Sequence, residues 1–152
     1  MSWDIKFKIE DGNSIEKSLT YIPEEVSFYM GEILDKVDVE LILNKISLVV
    51  AGNKVVHVSG FCGFSEWMKS NYEIPKYTKG VLKAEHDLKY GLAYGIYDED
   101  LPVNVNTKTG WVCIGHPEKQ GKAVEFINNC VAVIDDGKFL SLWLKPPSLP
   151  KL

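Results

Sequence analysis

Two β-branched runs, Ile46–Ala51 and Lys54–Gly60, meet at Gly52 and Asn53, and no other stretch restricts the fold as much. A two-residue connection opening on glycine can place its backbone in the positive-φ region that a right-twisted hairpin requires. The runs on either side are too short and too β-branched for a helix. The same period of two begins at the N-terminus, where Trp3, Ile5, Phe7 and Ile9 alternate with Asp4, Lys6 and Lys8. It returns at Val37–Leu43, with Val39, Leu41 and Leu43 on one side, and again at Gly80–Glu85. Such alternation is the mark of strands buried on one face.

One segment breaks this pattern towards a helix. Pro23, Glu24 and Glu25 suit a first helical turn, because proline loses nothing at N1 and carboxylates favour the positive end of the dipole. Val26, Tyr29, Met30, Ile33 and Leu34 then fall at helical spacing, so residues 23–36 are expected to form a helix with one apolar stripe. Further on, Leu88, Tyr90, Leu92, Tyr94 and Ile96 alternate with Lys89, Gly91, Ala93, Gly95 and Tyr97. That predicts a strand with one bulky face and one bare enough for close approach. A polar loop over 98–110 leads to a strand at Trp111–Gly115, and another apolar run covers Ala123–Ile134. Asp135, Asp136 and Gly137 turn the chain into a last strand, Lys138–Lys145. The expected fold class is therefore α+β: a mainly antiparallel sheet, a meander that curls or forms two layers, with one packing helix near residues 23–36. A chain of 152 residues without repeat or linker is expected to be a single domain, 1–152.

Several functional classes are disfavoured. All 17 basic residues are lysine, so the planar fork that proteins use for guanine and bidentate phosphate recognition is missing, and a nucleic-acid partner is not expected. No apolar run approaches the roughly 20 residues of a membrane-crossing helix, and the alternating N-terminus lacks the pattern of a secretory signal. No membrane partner and a cytoplasmic location are the expectations. Cys62, Cys113 and Cys130 are three in number and widely spaced, which suits buried thiols better than disulfides.

Zinc would need a set such as His57, Cys62, Cys113 and His116, whose spacing matches no strong signature; no metal and no cofactor are expected. Cys62 stands between Gly60 and Gly63 near a turn, and His57, His86, Asp87 and His116 supply the other pieces of nucleophilic chemistry. Glycines easing a strand exit explain that turn more simply. The acidic residues carry more information. Asp98, Glu99 and Asp100 are consecutive and follow Tyr94 and Tyr97, while Glu24, Glu25, Glu32, Asp35, Asp38 and Glu40 crowd one stretch. A solvated loop tip is the plain reading of such a run. The functional one is a surface that steers a basic partner, with tyrosines as rigid contacts.

Over Gly110–Pro146, the segments Trp111-Val112-Cys113-Ile114-Gly115, Ala123-Val124-Glu125-Phe126-Ile127 and Leu142-Trp143-Leu144-Lys145-Pro146 resemble the C-terminal end of bacterial immunity proteins encoded beside polymorphic or contact-dependent toxins. The resemblance implies a small, cytoplasmic, non-enzymatic protein that binds one cognate toxin domain and occludes it. Together these arguments predict a partner surface drawn from Asp98, Glu99, Asp100, Tyr94, Tyr97, Glu24 and Asp35, with no catalytic residue. The alternatives are a small enzyme or ligand binder with a His/Cys-lined pocket under the Gly91, Ala93, Gly95 face, and a structural subunit that completes another protein's sheet.

Overall fold

The computed structural model describes residues 5–152; Trp3 and Asp4, at the head of the first expected strand, lie outside them. In chain order the strands are β1 (Lys6–Glu10), β2 (Thr20–Ile22), β3 (Ser27–Tyr29), β4 (Val39–Leu43), β5 (Ile46–Ala51), β6 (Lys54–Phe61), β7 (Met68–Lys69) and β8 (Thr78–Lys79). They continue with β9 (Val81–Glu85), β10 (Ala93–Gly95), β11 (Val103–Val105), β12 (Val112–Gly115), β13 (Lys122–Ile127), β14 (Cys130–Asp135) and β15 (Lys138–Leu144).

Two sheets form. Sheet A runs β1-β9-β6-β5-β4-β10, with β3 also paired to β6 and β2 to β3; sheet B runs β7-β11-β12-β15-β14-β13-β8. Most pairs are antiparallel, whereas β10 with β4, β7 with β11 and β8 with β13 are parallel. The β5–β6 hairpin forms at the expected place, with Gly52 at φ 58° and Asn53 at φ 59°, both left-handed as a two-residue hairpin turn demands. One face of each sheet meets the other: Leu41, Leu48 and Val58 of sheet A share a continuous apolar core with Val124, Phe126 and Leu142 of sheet B.

The expected helix over 23–36 does not form. Pro23–Glu25 makes a single 3₁₀ turn that ends on Val26 in a left-handed conformation, φ 46°, and the chain becomes β3. Phe28 and Met30 are buried while Tyr29 is exposed, so the period here is two. Ser27 and Phe28 pair with Phe61 and Gly60, and this ladder outweighs the helical spacing of the apolar residues. Three smaller corrections have similar causes. The expected strand over 88–97 shrinks to β10, because a turn at residues 90–91, with Gly91 at φ 83°, redirects its first half. The 98–110 loop contains buried β11. The Ala123–Ile134 run is two strands that reverse at Asn128 and Asn129, the latter at φ 64°.

Two irregular segments act as straps. Residues 31–37 link β3 to β4 and cross the outer face of sheet A, where His57 and Val49 are buried although they face away from the shared core. Residues 70–77 link β7 to β8, the two opposite edges of sheet B. Beneath them Trp111, Cys113, Val131, Val133 and Trp143 form a second apolar cluster, capped by Ile74. Six strand spacings at about 4.8 Å make this crossing about 29 Å, and nine residue steps from Lys69 to Thr78 reach only about 30–32 Å when extended. Across a flat sheet of this width the second strap would have little slack.

From β8 the chain re-enters sheet A through Gly80. A Cβ there would stand 2.8 Å from the Glu10 carbonyl oxygen and 3.0 Å from Val124 Cγ2, so the corner has no room for a side chain. Gly80→Ala is expected to destabilise the fold by about 1–3 kcal/mol, whereas Gly63→Ala, with nothing within 4 Å of the new carbon, should have little effect. Urea unfolding midpoints of the two variants check this.

Candidate functional site

Acidic residues are in excess on the segments that build and connect one half of sheet A. The stretches 20–50 and 92–103, which build β2–β5 and β10, hold nine carboxylates against two lysines, while the rest of the chain holds 12 against 15. On the opposite flank of the same sheet, Lys8, Lys83 and Lys54 stand in register across β1, β9 and β6. That flank also carries Glu10 and Glu85, the latter 2.8 Å from Lys8, so the two halves differ in charge balance, acid exceeding base only on the first.

Asp98, Glu99 and Asp100 are exposed on the loop leaving β10. Asn44, at the β4–β5 turn, clamps the loop's end: its side chain donates to the Leu101 carbonyl at 2.9 Å and accepts from the Leu101 amide at 2.8 Å. Glu24, also exposed, lies in the 3₁₀ turn before β3 at the same end of the sheet. With β4, β5 and β6 standing between β10 and β3, that is about 19 Å away. Asp35 rides on the strap over sheet A. The residues expected to form one contact surface therefore share a half-sheet but not a single cluster.

The two tyrosines are tied inward. Tyr94 pairs with Leu41 of β4 and packs on the core; its hydroxyl donates to the Lys89 carbonyl at 3.2 Å and accepts from the Lys89 amide at 3.1 Å. The Tyr97 hydroxyl donates to the Phe139 carbonyl in sheet B, and burial pushes its pKa up. Both rings brace the β10 edge and offer only part of their area to a partner.

The groups considered for chemistry lie in three separate places. Cys62 is buried in the shared core beside Tyr21 and Trp67. Its Sγ accepts the Trp67 indole N–H at 3.2 Å, and burial pushes its pKa up to about 11, the Trp67 bond opposing. His57 lies beneath the strap on the outer face of sheet A. His116 follows β12 in sheet B, 3.6 Å from Glu118. Burial also pushes the Cys113 and Cys130 thiols up. Among the described residues no group of three or more His, Cys, Asp or Glu is placed to hold a metal ion, and no helix is long and apolar enough to cross a membrane. The Ala93 and Gly95 face of β10 opens to solvent. A cleft of about 390 Å³ lies elsewhere, between the strap over sheet B and the 117–121 loop, rimmed by Glu73, Lys76, Glu118 and Lys119.

Sequence reasoning missed the exposed apolar side chains on the two segments that lead to the N-terminal ends of β4 and β10. Leu34 is 87% exposed, Tyr90 66% and Leu92 51%. Leu34 falls on the apolar stripe of the helix that does not form, and Tyr90 and Leu92 on the bulky face of the strand that shrinks to β10. Compared with models of known families and with curated proteins, the chain matches none.

His57 holds the strap. Its Nε2 donates to the Gly31 carbonyl at 3.0 Å, while Nδ1 is buried without a partner. Burial lowers its pKa from 6.5; the Gly31 bond opposes this, Lys17 adds to it and Asp35 opposes. The unfolded chain therefore binds a proton at pH values where folded His57 stays neutral. Its contribution to stability is present above the usual histidine range, falls as pH drops through about 6.5, and stops falling below the folded pKa. In His57→Gln, the change in urea midpoint between about pH 7.5 and 5.5 should be smaller than in the wild type. The thiols make a second check: a disulfide reagent near pH 7.5 should modify none of them in the folded protein and all three after unfolding.

Proposed function

We propose that this chain is a non-enzymatic binding protein, an immunity protein that neutralises a cognate basic toxin domain in the cytoplasm by occluding it. The observation that supports the proposal most is the excess of acid over base in the stretches 20–50 and 92–103, nine carboxylates against two lysines, with Glu40 in β4 and the other eight on the turn, strap and loop that join β2–β5 and β10. Long-range attraction to such a surface raises the encounter rate with a basic domain and orients it before contact. Asp98, Glu99, Asp100, Glu24 and Asp35 are the steering charges, with Tyr94 and Tyr97 stiffening the edge beside them. Occlusion then depends on apolar area desolvated at the centre of the contact, since rim charges mainly set the association rate. The mechanism requires no cofactor, no metal and no bond-making residue. A catalytic alternative has weaker support, because His57, Cys62 and His116 stand apart and the Cys62 thiol is held protonated.

The resemblance to immunity proteins points to the product of the adjacent upstream gene as the partner to test. The two proteins are expected to co-elute at low salt, and their association to slow as ionic strength rises. Replacing Asp98→Asn, Glu99→Gln and Asp100→Asn together should slow association by about threefold with little change in dissociation. Failure to co-elute even at low salt overturns the proposal.

A further inference from the structure

Where the charge-steered partner makes its central contact can be read from the apolar side chains at the N-terminal end of β4. Ile33, Leu34 and Val37 project from the strap over sheet A, and Tyr90 and Leu92 from the segment that reaches β10; all five are exposed. The backbone brings Val37, Tyr90 and Leu92 together, and Ile33 and Leu34 lie four and three residues before Val37 on the strap. The Gly91 amide donates to the Asp38 carbonyl at 2.7 Å, and the Glu40 amide donates to the Leu92 carbonyl at 3.1 Å. Tyr90 and Leu92 thus flank the residue bonded to Asp38, and Val37 immediately precedes it. Further bonds fix the platform: the Gly52 amide donates to Asp38 Oδ2 at 2.8 Å, the His57 ring holds Gly31, and the His86 and Tyr90 rings lie 6.3 Å apart, edge to face.

The charges around this patch select its occupant. Glu32, Asp35, Asp38 and Asp87 lie in the same two segments, against Lys36 and Lys89. An apolar centre with a carboxylate-rich rim complements a basic protein surface that carries apolar side chains of its own. A second copy of this chain fits poorly, because a two-fold contact through the patch would bring the same carboxylates face to face.

We propose that Ile33, Leu34, Val37, Tyr90 and Leu92 form the central contact for the basic protein domain that the acidic half of sheet A attracts; this rests on the binding function proposed above. The Asp98–Asp100 loop, with its neighbouring tyrosines bonded internally, then lies at the rim.

The test uses the full-length ¹⁵N-labelled chain at low salt with two probes, polylysine and a short amphipathic peptide of leucine and lysine. The amphipathic peptide is expected to shift the amides of residues 32–38 and 86–93 first. Leu34→Asp should weaken its binding by at least about tenfold, and the Asp98, Glu99, Asp100 triple variant by no more than about threefold. Leu34 is almost fully exposed, so its replacement should leave the rest of the spectrum unchanged; Tyr90→Ser with Leu92→Ser repeats the test from the other segment. If both probes shift the amides of 98–100 and neither patch variant weakens binding, the central contact is misplaced while the acidic binding surface stands. If neither probe binds while the upstream gene product still co-elutes, this inference falls and the binding function stands; if that product also fails to co-elute, both fall. If the wild type sediments as a dimer that Leu34→Asp makes monomeric, the occupant is a second copy and this inference is overturned.

Discussion

Apolar burial between the two sheets carries the rest of the molecule, because each strap, corner and clamp is positioned by strands that this burial holds in place. Leu41, Leu48 and Leu142 are wholly removed from solvent, and side chains of this size contribute about 1.5–3 kcal/mol each when fully buried. The chain passes between layers after β6, before β9 and after β10, and every passage must keep both inner faces dry. After β6, Tyr21, Phe28, Phe64 and Trp67 fill the passage with mutually tilted or stacked rings. The Tyr21 hydroxyl, whose pKa burial pushes up to about 12, donates to the Cys62 carbonyl at 2.6 Å. Before β9 the opposite solution is used, and Gly80 removes the side chain altogether.

Much of the sheet was legible in the sequence. β4, β5, β6 and β15 follow from alternation and turn residues, because local preference and burial there agree. The helix over 23–36 was misjudged because its apolar residues fit two periods. Helical spacing selects Val26, Tyr29, Met30, Ile33 and Leu34, whereas the fold buries Phe28 and Met30 and leaves Leu34 in water. What decides between them is a long-range partner, the end of β6, which local spacing does not reveal. Gly31, which takes φ 89° here, is a local signal against a helix, costing about 1 kcal/mol relative to alanine in one. The reversal at Asn128 and Asn129 also had a signal, two turn-forming residues inside a β-branched run, but the apolar residues on either side obscured it.

The site was legible in part. An acidic run advertises itself, and the carboxylates of 20–50 and 92–103 do share a half-sheet. The exposed apolar side chains could not be found by the same reasoning, since apolar residues in a periodic pattern are assigned to the core by default. Ile33 and Leu34 made the false helix, and Tyr90 and Leu92 lengthened the strand beyond β10. Local rules failed at the residues that now form the candidate contact, a pattern typical of positions selected for binding rather than for folding.

The strap over sheet B also governs what this protein can do in a crowded solution. Its ends, β7 and β8, occupy both borders of the seven-stranded sheet, two residues each, and Ile15 bridges to Ile127 on the β13 border beside β8, so short pieces of chain guard the two places where strands of other molecules would otherwise stack on. Removing even one residue from 70–77 leaves the span about equal to the longest reach of the backbone. The expected result is a loosened border and self-association seeded from sheet B.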